Sequence, residues 1–279
     1  MSPIIRMLVL AAPLAAQSTT RGIVPEELIL ARPAGSAPAA VAQRPKYLPV
    51  GVPAKIAAGR QIGVTIWRLR AATAADPGAR ILVQEEAGTV EWIPERVSST
   101  GRLKPGDKVR LSIESPDSGF LYVIDREQYS NDKRGEPYLI FPTTRTNAGN
   151  NQVSAGKLVD IPAQDDRPNF FTLRRSQLNQ TGEELIVLLS PTPLVDIAIG
   201  PKALLLTDAQ VDGWEKRWGT AKPSVFELSS AGQPWTAAEQ LAAADQTRAL
   251  TQDDPPPQTI YRVAVKPGEP VLIKLRLRF

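Results

Sequence analysis

The chain has 279 residues, 42% of them hydrophobic and 22% charged, with a net charge of only +4. That balance excludes wholesale disorder, and without a dense Lys/Arg cluster nucleic acid is not an expected partner. There is no Cys and no His, which removes disulfides, Ser-His-Asp and Cys-His catalysis, and ordinary zinc, haem or iron–sulfur ligation.

Residues 1–17 (MSPIIRMLVLAAPLAAQ) carry one charge, Arg6, then a short apolar core over Met7–Leu14 and small residues at Ala15-Ala16. This reads as a secretory signal peptide cleaved near Ala16 or Gln17, because the apolar run is well short of the ~20 residues that span a bilayer. The mature protein is therefore expected to be exported, periplasmic or extracellular, and not membrane-spanning after signal cleavage. Without Cys no lipid-modified cysteine is expected. Residues 18–60 read as a Pro/Ala-rich linker or arm, with Pro33, Pro38, Pro45, Pro49 and Pro53 favouring an extended spacer.

Order is expected from Gln61. Ile62, Val64 and Ile66 alternate with Gly63, Thr65 and Trp67 at the strand period. Asp76-Pro77-Gly78 predicts a turn, and Ile81–Gln84 and Thr89–Ile93 the next strands. Lys104-Pro105-Gly106-Asp107 precedes the strand of Val109, Leu111 and Ile113, and Pro116–Gly119 precedes Phe120–Ile124. A polar loop, Asp125–Gly135, leads to Tyr138–Phe141. Val153, Lys157–Ile161, Asn169–Leu173 and the apolar Glu184–Leu189 follow, the last predicted to be buried on both sides.

After Pro191 the texture changes. Thr207–Trp218 predicts a short helix with Trp214 and Trp218 on one face. Thr236 and Glu239 form a capping box opening a helix to about Leu250, stopped by Pro255–Pro257. Ile260–Val265, a Lys266–Glu269 turn and a final strand close the chain, with Val271, Ile273, Leu275, Leu277 and Phe279 on one face. The predicted architecture is mostly β. An antiparallel β-sandwich spans 61–200, and residues 201–279 add a small helical segment and a closing β-hairpin packed on it.

Few residues invite chemistry. Ser154 and Lys157 match a Ser-x-x-Lys spacing, but Gly156 and the β-branched neighbours make this a turn before a strand, and no Lys-Thr-Gly triplet accompanies it. The carboxylate pairs Glu85/Glu86, Asp165/Asp166, Glu183/Glu184 and Asp253/Asp254 are adjacent, and adjacent strand residues point to opposite faces. A hydrolytic pair would have to be drawn from distant segments. The 125–137 loop holds Asp125, Glu127, Asn131 and Asp132, oxygen-rich enough to raise calcium, but its spacing is not an EF-hand and Lys133 and Arg134 sit among the acids. The five tryptophans raise sugar stacking, against core packing as the ordinary role. Tyr129 and Tyr138 are expected nearer solvent. Phe279 ends an amphipathic strand without the succession of strands a membrane barrel needs.

Several points in residues 103–191 occur in a characteristic order: Lys104-Pro105-Gly106-Asp107-Lys108-Val109, Gly119–Ile124, Leu139-Ile140-Phe141-Pro142, Asn151–Lys157, Ile161-Pro162, and Gly182-Glu183-Glu184 before the apolar strand. In these points the segment, about a third of the chain, resembles the bacterial domain-of-unknown-function family 4384. The resemblance implies a β-rich domain, often exported or attached to envelope and signalling modules, with no established catalytic residues. It transfers no active site.

The expected function is a non-enzymatic envelope interaction or scaffold module with an envelope protein partner. Its binding surface is expected at Asp125, Glu127, Tyr129, Asn131, Asp132 and Tyr138, with no cofactor and no metal. Two alternatives are a carbohydrate or peptidoglycan binder and a carboxylate-dependent hydrolase of an envelope polymer.

Overall fold

The fold comes from a computed structural model that describes residues 28–29, 31–35, 59–76, 79–85, 88–245 and 248–279. The expected signal peptide, most of the 18–60 arm, Pro77-Gly78 of the first turn and Glu86 lie outside the described residues. In chain order the strands are β1 (Arg60–Ala71), β2 (Ile81–Glu85), β3 (Gly88–Val97), β4 (Lys108–Glu114), β5 (Gly119–Tyr129), β6 (Tyr138–Phe141), β7 (Gln152–Val153), β8 (Leu158–Ile161), β9 (Phe171–Thr172), β10 (Gln180–Ser190), β11 (Leu204–Leu205), β12 (Ser224–Glu227), β13 (Thr259–Val263) and β14 (Val271–Arg278). Helix α1 (Asp208–Trp218) lies between β11 and β12, and α2 (Ala237–Ala244) between β12 and β13.

The strands form two antiparallel sheets packed as a β-sandwich. In the first sheet β1 is central. One side of it pairs with β4, and the other is shared by β13 along Arg60–Val64 and β3 along Ile66–Ala71. The second sheet runs β11-β6-β5-β10-β14. Alternation builds the core between them. Ile62, Val64 and Ile66 of β1 and Val109, Leu111 and Ile113 of β4 face Leu121 and Val123 of β5, Leu185, Val187 and Leu189 of β10, and the apolar row of β14. Removing that much apolar surface from water is the main stabilising term, of order 25 cal/mol per Å².

Both sheets are covered on their outer faces as well. Tyr122, Ile124, Ile186 and Leu188 pack under α1, where Val211, Trp214 and Trp218 meet them. On the first sheet Trp67, Leu69, Ile81 and Val83 lie under Trp235 and Ala243. This second cover explains why β1 is buried on successive residues rather than alternate ones. Position 63 must be small, because a side-chain carbon there would lie 2.6 Å from Cγ of Pro257.

The same cover buries charge in pairs. Arg32 reaches both oxygens of Glu114 at 2.7 and 2.6 Å, Arg110 donates to Asp160 at 2.8 Å, and Arg96 donates to Glu239. Ser112 adds a 2.5 Å bond to Asp160 and accepts from the Trp67 indole at 2.7 Å. The Arg96 and Arg110 guanidiniums lie 5.3 and 5.5 Å from the rings of Trp67 and Trp235.

Several elements differ from expectation. Strand β5 does not end at Ile124 but runs to Tyr129, because β10 pairs with it as far as Gln180. Asp125, Glu127 and Tyr129 are therefore strand residues. The expected closing hairpin does not form: β13 pairs with β1 and β12 in the first sheet, and β14 pairs with β10 in the second. The turn between them crosses the sandwich, since each strand completes a different sheet. The expected boundary near 200 therefore separates no appendage from the sandwich, which needs residues 259–278. The capping box at Thr236 and Glu239 forms, but α2 stops at Ala244, and the chain beyond returns to bond Leu250 N–H to the Gly156 carbonyl at 2.7 Å. Asn169–Leu173 contributes only the two residues of β9. Among the described residues no helix is long and apolar enough to cross a membrane.

Candidate functional site

The inward-facing rows of β5 and β10 change character along their length. Register places Leu121 opposite Leu189, Val123 opposite Val187, Asp125 opposite Leu185 and Glu127 opposite Glu183. The row is apolar where the two sheets are closed and acidic where they part. At that end a cleft of about 790 Å³ opens, within the range of small-ligand sites. Its deep wall is apolar, from Val109 and Leu111 of the first sheet and Leu185 and Leu277 of the second. Its polar groups are Asp125, Glu127 and Glu183, with Tyr129, Glu136, Tyr138 and Arg174 around them.

The three carboxylates lack the counter-ions found elsewhere in the molecule. The carboxyls of Asp125 and Glu183 adjoin, and a proton shared between them makes a hydrogen bond. Oδ1 of Asp125 is buried and meets no N–H or hydroxyl donor. The Tyr129 hydroxyl donates to Glu127 Oε2. Among the described residues no guanidinium or ammonium pairs with any of the three; Arg134 at the rim is engaged by Asp212, Glu215 and Glu184.

The energetic consequence is a raised proton affinity. Burial, and then the charge of Glu127, push Asp125 up to about 6 against the hydrogen bond with Glu183. Burial, the Asp125 charge and the bond to Asp125 push Glu183 up to about 9. Like charges held this close cannot both ionise, so the protons belong to the pair. A strongly perturbed pair in a cleft is a mark of a functional site.

The structure sorts the sequence-predicted residues into two groups. Asp125, Glu127, Tyr129 and Tyr138 line the cleft. Asn131 and Asp132 do not; they occupy the exposed tip of the β5–β6 hairpin, where Asp132 N–H bonds back to the Tyr129 carbonyl at 3.1 Å and Asp132 adopts φ of 59°. Glu183 was visible only as half of an adjacent pair. The signal that finds it is the period-two row Glu183, Leu185, Val187, Leu189, which mirrors Glu127, Asp125, Val123, Leu121. The other pairs are structural where described. Asp166 accepts from the backbone of Ala163 and Asn147 at 2.6 and 3.0 Å, and Asp254 is bound by Arg248 at 2.5 Å. Ser154 and Lys157 close the β7–β8 turn, with no helix to align them. Trp67 and Trp235 are buried, and Trp92, Trp214 and Trp218 are half-buried; Trp214 and Trp218 also line a pocket of about 370 Å³ beside Pro191 and Leu194. No group of three or more acidic residues among the described ones is placed to hold a metal ion.

No protein-family model matches the chain, and neither the curated proteins nor the solved structures include a significant match to it.

Proposed function

We propose that this chain is a non-enzymatic binding module, exported to the bacterial envelope, that captures a protein partner through the cleft at the open end of the sandwich. The observation that carries the reading is the buried Oδ1 of Asp125, which meets no N–H or hydroxyl donor, in the lining of a cavity of about 790 Å³. A buried polar atom left without a partner costs about 1–3 kcal/mol, which a ligand supplying that partner recovers. Export rests on the pattern of residues 1–17, and the envelope setting on the resemblance of residues 103–191.

Deletion of 127–136 is a poor test, since it removes the end of β5 and with it the pairing to β10. A photo-crosslinking residue at the exposed rim position Glu136, with a control at Leu241 on α2, tests the reading in intact cells. One protein crosslinked from 136 and absent from 241 supports it. Equal capture from both positions, or none from 136, overturns it.

A second reading, the carboxylate-dependent hydrolase, draws on the Asp125–Glu183 hydrogen bond, which holds a proton for general-acid work. Carboxyls in direct contact are closer than the ~5 Å or more that glycosidases use, so the bond cleaved would not be glycosidic. It predicts hydrolysis of peptide cross-links with an acidic optimum. Digestion of isolated sacculi unchanged by Glu183→Gln would remove it.

A further inference from the structure

The occupant of the cleft can be named by its chemistry. The site offers Asp125, Glu127 and Glu183 on one face of two paired strands and an apolar wall from Leu111, Leu185 and Leu277; its two cations, Arg134 and Arg174, pair with none of the three acids. Among the described residues, other buried charges lie beside opposite charge, as at Arg110–Asp160 and Arg32–Glu114. Here Asp125 has no cation beside it, and its buried Oδ1 meets no N–H or hydroxyl donor. The missing component is therefore a hydrogen-bond donor with positive charge. A metal ion is disfavoured because the acids are not arranged to ligate one. Arg174 is exposed at the rim, where solvent and salt screen its charge.

We propose that the cleft is a receptor for an alkylammonium group. The ammonium donates to the Asp125–Glu183 pair, with Glu127 as the adjoining negative charge, and its methylene stem lies on the Leu111–Leu185–Leu277 wall. This rests on the reading of the cleft as a binding site and deepens it. Two sources carry the chemistry: a lysine side chain of a protein partner and a free aliphatic amine. Because the empty site holds a proton between Asp125 and Glu183, the incoming ammonium takes over the role of that proton and displaces it to solvent. Binding therefore strengthens as pH rises through the neutral range.

The test is titration calorimetry on the full chain with Nα-acetyl-lysine methylamide and with cadaverine, using Nα-acetyl-norleucine methylamide as the uncharged isostere. The lysine probe or cadaverine should bind at least about tenfold more tightly than the norleucine probe, in line with a charge-assisted hydrogen bond. Its affinity should fall on going from pH 8 to pH 5. Its heat should vary with the ionisation enthalpy of the buffer, which reports proton release. Glu183→Gln should weaken binding and abolish the buffer dependence. Glu127→Gln, which leaves the proton-sharing pair intact, should weaken binding and keep the dependence. Tighter binding of the lysine probe assigns the site to a protein partner, and tighter binding of cadaverine to a free amine.

Equal affinity for the norleucine probe, no binding of either amine, or saturation of the site by calcium alone would overturn the proposal. The two readings fail separately. A partner crosslinked from position 136 with no amine binding sinks the ammonium assignment alone. Amine binding without a crosslinked partner sinks the protein-partner reading alone.

Discussion

Strands β5 and β10 carry acidic residues on both faces, and the two faces treat them in opposite ways. On the outer face Glu184 lies 3.6 Å from Arg134 and 3.8 Å from Lys274. There Arg126 donates to Asp208 at 2.5 Å, and Glu215 of α1 accepts from Arg134 at 2.7 Å and Lys274 at 2.6 Å. On the inner face, one residue away along each strand, Asp125, Glu127 and Glu183 face a cavity and one another. The outer face of the first sheet follows the paired pattern too, with Arg110–Asp160 and Arg96–Glu239 buried under Trp235 and α2. Charge density alone therefore does not distinguish the two faces. Pairing does. Matched charges hold neighbouring strands and covering layers together, whereas unmatched ones raise the folded state's free energy.

The comparison breaks most visibly at the best-buried pair. Asp160→Ala leaves the Arg110 guanidinium, whose side chain is 1% exposed, without its carboxylate. A loss of about 3–5 kcal/mol is expected, read from the denaturant midpoint. A loss below about 1 kcal/mol would mean that these pairs are not structural. Next in size, Glu215→Ala removes two charge-assisted bonds between α1 and the second sheet. About 2 kcal/mol should go, with faster amide exchange in α1.

On the inner face the sign should reverse. The unfolded Glu183 carboxyl ionises near the ordinary ~4.3, whereas in the fold it is held up to about 9. Between those values the folded state binds more protons, so its stability falls as pH rises. Glu183→Gln cannot ionise and escapes that loss. At pH 8 it should be the more stable protein by roughly 1–2 kcal/mol after allowance for solvent screening, and thermal melting should show the advantage narrowing towards pH 5. Lower stability than the parent at pH 8 would place a hidden counter-ion in the cleft. Smallest of all, Asn131→Ala at the exposed hairpin tip should change stability by less than about 0.5 kcal/mol and leave capture from position 136 unchanged. A clear effect on capture would return the binding surface to the loop.

Much of this was legible in the chain. Period-two alternation in 62–66, 109–113 and 271–277 marks core-facing strands because side chains alternate across a sheet. The capping boxes at Thr207 and Thr236 mark helix starts because their hydroxyls satisfy local backbone N–H groups. The limit of β5 was not legible, because Asp125 to Tyr129 read as a polar loop when only hydropathy is weighed. Their pairing with β10 is what makes them strand. Four of the six expected binding residues nevertheless meet in the cleft: Asp125, Glu127 and Tyr129 because β5 keeps its two-residue period beyond the core, and Tyr138 because β6 pairs with β5 there.

By itself the sequence determined the β-rich class, the helix starts, the turns, and the exclusion of imidazole and thiol chemistry. Each depends on residue type or on neighbours a few positions away. Only the tertiary structure decided that β13 and β14 separate into different sheets, that Trp235 and Pro257 roof the first sheet, and that Glu183 meets Asp125. Those facts depend on which strands lie side by side, a choice set by long-range burial and register that no local stretch of the chain contains.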